Sequence, residues 1–216
     1  MTRLVQYCTL NKILLLSIGL WPYQQSKFAR FQFVVFYTIL STGIIFQITP
    51  LITRTSDLVI KVLSSVFFVV MFIIQYHNFC FNIEVVKNLL MEFQHTHNKL
   101  KDENEIAIVE KCGYIAKRYT IVLTGVGIGG MSSLVIFQIW LNIANVDLRM
   151  NASEPYYIFI MEYFVDQEKY FYLILLHSNT VFCVGDITMV AVGTMLITFI
   201  EHICGMLRIA SKKLVL

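Results

Sequence analysis

The chain has 216 residues, of which 57% are hydrophobic and only 14% charged, and its mean hydropathy is +0.67. Soluble domains carry about 25% charged residues, so an ordinary soluble domain is excluded and an all-α, polytopic membrane helical bundle is predicted. The formal charge of +3 is too slight to argue for a nucleic-acid partner, since the basic residues simply flank the apolar runs.

Residues 1–30 carry Arg3, Lys12, Lys27 and Arg30 and no acid. Within them Ile13 to Trp21 is apolar but, at nine residues, too short to cross a bilayer, which leaves an interfacial helix or the core of a signal peptide. No small-residue cleavage site follows in WPYQQSKF, so a cytosolic segment with an interfacial helix is the reading taken. Gly19 and Pro22 end that helix, because glycine weakens a helix and proline cannot continue it.

Four spans are predicted. Residues 31–53, 62–83 and 119–146 are charge-free windows of 23, 22 and 28 residues, each meeting the roughly 20-residue requirement. The fourth, 170–207, carries Asp186 in its apolar run, with sixteen uncharged residues before it and fourteen between it and Glu201. Over 170–207 a helix would extend ~57 Å at about 1.5 Å per residue, against a hydrocarbon layer of ~30 Å. It therefore crosses and continues into water. The connection 84–118 mixes acids and bases over apolar Val85, Leu89, Leu90 and Phe93 at helical spacing, which predicts cytosolic helices with a turn near Asn98–Asn104. Residues 208–216 are taken as a tail.

Lys and Arg set the orientation. The N-terminal segment, the 84–118 connection and the tail together hold thirteen, whereas the other two connections hold four. Both ends are thus expected in the cytoplasm of a multi-pass plasma-membrane protein, with 147–169 outside. The sequon at Asn151 falls in that outer connection and makes it the expected glycosylation site.

Candidate chemistry is sparse. The cysteines, Cys8, Cys80, Cys112, Cys183 and Cys204, include no CxxC pair and are expected as free thiols. His95 and His97 stand about 200° apart on a helix and make a poor metal pair, so no metal or cofactor is expected. Gly125, Gly127, Gly129 and Gly130 sit inside an apolar span, where a nucleotide loop has no strand to follow; Gly125 and Gly129 read as a small-residue face for close helix packing. Asp186 costs about 2.5–3.5 kcal/mol at a span's centre. It serves either a structural hydrogen bond or a gating polar network. No second acid, histidine or serine is nominated at matching depth, so no enzyme is expected. Ser64, Phe67, Phe68 and Met71 form one helical stripe, Ser133, Phe137 and Trp140 a second, and Tyr172, Leu176 and Asn179 a third. An aromatic and aliphatic lining with a few hydroxyl and amide groups suits a small apolar ligand.

Taken together, Gly19-Leu20-Trp21-Pro22, Asp166 with Tyr170-Phe171-Tyr172, Asp186, Glu201-His202 and Gly205-Met206-Leu207 resemble the insect odorant receptor family in order and spacing. The resemblance runs from about Leu10 to Ser211. It implies a subunit of a ligand-gated cation channel with seven spans, working in tetramers with a shared co-receptor. It also implies a small volatile odorant bound in an outer-half pocket between the second, third, fourth and sixth spans, to which the three stripes are carried over. The chain ends at Leu216 with four of the seven spans, so it reads as an N-terminal fragment. Membrane lipid is the other expected partner. The alternatives are a gustatory receptor of the same superfamily and a four-helix membrane scaffold with no ligand.

Overall fold

A computed structural model describes residues 9–23, 26–53, 56–100, 102–148, 161, 163–166 and 169–215. Among these the chain is all-helical, in six helices: α1 (Thr9–Ser17), α2 (Lys27–Thr53), α3 (Ser56–Phe81), α4 (Ile83–Lys99), α5 (Glu103–Leu148) and α6 (Phe171–Val215). Four of them, α2, α3, α5 and α6, are long and apolar enough to cross a membrane. At 46 and 45 residues, α5 and α6 would each extend about 68 Å, twice the ~30 Å hydrocarbon thickness.

The helix boundaries follow local chemistry. Gly19 adopts φ +72, the left-handed conformation that closes α1. Its N–H donates to the carbonyl of Leu16 at 3.2 Å and that of Leu20 to the carbonyl of Leu15 at 2.8 Å, the paired bonds of a Schellman cap. The predicted stop is therefore present, but the helix it ends runs over Thr9–Ser17 rather than Ile13–Trp21. Within the stretch 98–104 where a turn is predicted, α4 ends at Lys99, α5 begins at Glu103, and Leu100 is extended at ψ 123. Asp102 Oδ1 accepts the backbone N–H of Asn104 at 3.0 Å and acids Glu103 and Glu105 occupy the first turn of α5, where the helix dipole favours negative charge. Helix α6 continues to Val215, so residues expected as a tail complete its last turns.

By packing, the chain divides into two units. One comprises Met1–Phe33, His77–Val126 and Thr188–Leu216; the other comprises Val34–Tyr76 and Gly127–Ile187.

In the first unit α1 lies on α6. Asn11, fully buried, donates from Nδ2 to the Thr194 carbonyl at 3.2 Å and to Thr198 Oγ1 at 2.7 Å. Leu15, Ile18 and Leu20 are buried with it. On α4, Val86, Leu90 and Phe93 form the buried stripe, and Phe93 meets Phe199 edge-on at 5.2 Å and the His202 ring at 3.5 Å. Gly205 faces Cys112 of α5 at ordinary packing distance, and Lys213 pairs with Glu105 at 2.6 Å.

In the second unit two glycines allow close helix contact. A side chain at Gly43 would overlap Val181, and one at Gly185 would overlap the ring of Phe72. Phe72 in turn meets Phe182 edge-on at 6.4 Å. By contrast Gly125, Gly129 and Gly130 have nothing within 4 Å of where a Cβ would stand. The small-residue face expected to pack is therefore open in the single chain. Only 6% of the most apolar stretch of α5 is buried, against 50% for α6. Apolar surface on that scale is left for lipid or for other helices.

Candidate ligand-binding site

The second unit holds a cavity of about 370 Å³ between α5 and α6. Ile128, Met131, Ser132, Val135 and Ile136 contribute one wall and Cys183, Asp186 and Ile187 the other. On each helix these positions recur at three- and four-residue spacing, which places them on one face. The wall is apolar except for a hydroxyl, a thiol and a carboxylate. Ser132 donates its hydroxyl hydrogen back to the Ile128 carbonyl at 2.6 Å, so its oxygen faces outward as an acceptor. Asp186 is half-buried and has no hydrogen bond or ion pair among the described residues.

A second polar cluster in this unit joins α2, α6 and the segment carrying Tyr163. Tyr163 Oη lies 2.6 Å from His177 Nδ1, and His177 Nε2 lies 3.1 Å from Thr42 Oγ1. Thr42 also lies 3.0 Å from the Thr38 carbonyl and 2.9 Å from that of Ile39, so its single hydrogen goes to the backbone. Its oxygen then accepts from His177 Nε2–H, which leaves Nδ1 to accept the Tyr163 hydroxyl. This pattern suits the imidazole protonated on Nε2, although Met161 Sδ, 3.4 Å from Tyr163 Oη, is a second acceptor for the one Tyr163 hydroxyl hydrogen. Phe46 stacks on Tyr163 at 4.3 Å and meets His177 edge-on at 5.7 Å, packing the cluster from the side.

Of the residues expected from sequence to bind ligand or gate, Asp186 alone lines the cavity. Ser64, Phe67, Phe68, Ser133, Phe137, Trp140, Tyr172 and Leu176 lie exposed on the single chain, and Met71 and Asn179 are half-buried. Phe137 stacks on Trp140 at 6.2 Å and Tyr172 meets Phe171 at 5.2 Å, in each case a neighbour on the same helix. Ser133 is turned back onto the Gly130 carbonyl at 2.8 Å. Asn151 lies outside the described residues. Cys80, Cys112, Cys183 and Cys204 are free thiols. Among the described residues no group of three or more His, Cys, Asp or Glu side chains is placed to hold a metal ion.

Sequence reading missed the Thr42–His177–Tyr163 cluster and Asn11. The signal for Asn11 was its place on the Asn11, Leu15, Ile18 stripe, where a polar residue shares the apolar face of a short helix. No local pattern marks Thr42 or Tyr163.

No family model, no curated protein and no solved structure matches this chain.

Proposed function

We propose that this chain is a membrane receptor subunit of the odorant receptor kind, which binds small volatile ligands and contributes to a ligand-gated cation channel with a co-receptor. The observation that carries the reading is the order and length of the helices. A short helix capped at Gly19 precedes two bilayer-length helices, an amphipathic helical connection, and two helices of 46 and 45 residues. The motifs that carry the resemblance fall on this framework: Gly19-Leu20-Trp21-Pro22 at the α1 cap, and Tyr170-Phe171-Tyr172 at the start of α6.

Both ends are assigned to the cytoplasm because the Lys and Arg residues gather in the N-terminal segment, the 84–118 connection and the last turns of α6. The open apolar surface of α5 supports assembly with further helices, as a hetero-oligomer requires. Ligand binding would then shift a channel between closed and open populations.

The test is co-expression of the full chain with an odorant co-receptor, recording current across a panel of volatile compounds. Odour-evoked current that depends on this chain supports the reading. A correctly inserted chain that evokes none overturns it. An epitope at Met1 should stain only after permeabilisation; staining of intact cells would reverse the topology and remove the family assignment with it.

A further inference from the structure

We propose that the cavity between α5 and α6 is a recognition site for a small organic ammonium ion with an apolar body, held by Asp186. The proposal does not depend on the olfactory reading, since it rests on the cavity's own chemistry.

The cavity's polar atoms are nearly all acceptors. Ser132 has spent its hydrogen on the Ile128 carbonyl and presents oxygen lone pairs. Asp186 presents two carboxyl oxygens with no cation or hydrogen bond to satisfy them among the described residues, and both are acceptors once a cation beside them holds the group ionised. Cys183 adds only a weak S–H donor. An alcohol or ketone brings at most one donor, and a carboxylate brings charge of the wrong sign. An ammonium brings up to three donors and the compensating charge, so it answers the lining atom for atom.

The remaining wall sets the other end of the ligand. Met131, Val135 and Ile136 are apolar, and methionine adapts its shape to irregular groups. A volume of about 370 Å³ falls at the small end of ligand pockets, which run from roughly 300 to 1,000 Å³. A single ring or short branched chain fits that space. An acid within a span is costly, and a cation that arrives with the ligand lowers that cost.

The experiment uses the full chain purified into nanodiscs of zwitterionic lipid, so that anionic headgroups do not gather the cation. Binding of 2-phenylethylamine is compared with that of 2-phenylethanol, a probe of equal size and no charge, at pH 7. The expected result is saturable binding of the amine at least tenfold tighter than the alcohol. Asp186→Asn should weaken amine binding at least tenfold, and Ser132→Phe, which fills the cavity, should remove the binding of both probes. Equal affinity for the two probes, or no saturable amine binding, overturns the site, and this wild-type comparison stands even where a variant fails to fold. Asp186→Asn binding the amine as tightly as wild type overturns it as well.

Discussion

The ring of Phe72 occupies the space in which a side chain at Gly185 would begin. The overlap involves ring carbons including Cγ, close to the backbone attachment, so the ring cannot simply swing its far end away. Phe72 is itself buried and fixed against Phe182. Asp186, next in sequence, lines the cavity between α5 and α6.

Gly185→Ala should accordingly destabilise the chain by about 1–3 kcal/mol, the usual cost of adding a methyl group to a packed interior. Gly193 provides the control, because nothing lies within 4 Å of its Cβ position. Gly193→Ala should be neutral or stabilising by roughly 0.5–1 kcal/mol, since glycine is a poor helix former. Unfolding midpoints in one detergent, measured side by side, check both. Equal behaviour of the two variants would mean the Phe72 contact is not tight.

Asn11 ties α1 to α6 through the Thr194 carbonyl and the Thr198 hydroxyl, and the site is fully buried. Asn11→Ala removes both bonds and leaves a small void, so a loss of about 1–3 kcal/mol is expected. Asn11→Leu should cost less. It fills the volume and also removes Asn11 Oδ1, which is buried with no partner. Hydrogen exchange over Thr9–Ser17 reads the result directly: Asn11→Ala should speed exchange there, and Asn11→Leu should lie between it and wild type.

His177 bridges the side chains of Thr42 and Tyr163. Tyr163→Phe keeps the stacking on Phe46 but leaves Nδ1 without its donor, and Thr42→Val removes the acceptor at Nε2. Each single change should cost about 1–3 kcal/mol. Once one ring nitrogen has lost its partner the tautomer is free, so the second change should cost less than it does alone. A double-mutant cycle on unfolding midpoints should return a coupling of about 0.5–3 kcal/mol, whereas strict additivity would refute the tautomer assignment.

The helices were legible because their cause is local. Charge-free windows of bilayer length and the Gly19 stop are written in consecutive residues, and Lys27–Pro50, Val62–Phe81 and Phe171–Leu214 follow the expected windows closely. The site was less so. A stripe such as Ser64, Phe67, Phe68 and Met71 marks an apolar face, but in lipid an apolar face is as well satisfied by acyl chains as by a pocket. Periodicity therefore could not choose between Phe137, which is exposed, and Val135 two residues away, which lines the cavity. Close packing at Gly43 and Gly185 depends on which residue the facing helix presents, and no spacing within one helix encodes that. Asp186, which lines the cavity, stands out in the sequence because the cost of a charge among apolar neighbours is itself a local property.

Two places now compete for the ligand of the proposed receptor, and they can be separated. Trp140 and Tyr172 are 59% and 81% exposed, and belong to the stripes nominated from sequence. Ser132 lines the cavity beside Asp186. If ligand rests on the aromatic stripes, Trp140→Ala and Tyr172→Ala should each lose an aromatic contact worth about 1–1.5 kcal/mol, shifting half-maximal concentrations roughly five- to twelvefold and reordering the ligand panel. Ser132→Phe should then leave the order intact. If ligand rests in the cavity, the pattern inverts: Ser132→Phe abolishes the response while the two alanine variants keep the wild-type ranking. Dose–response curves in the full chain with the co-receptor decide between them. A ranking unchanged by all three substitutions would exclude both places.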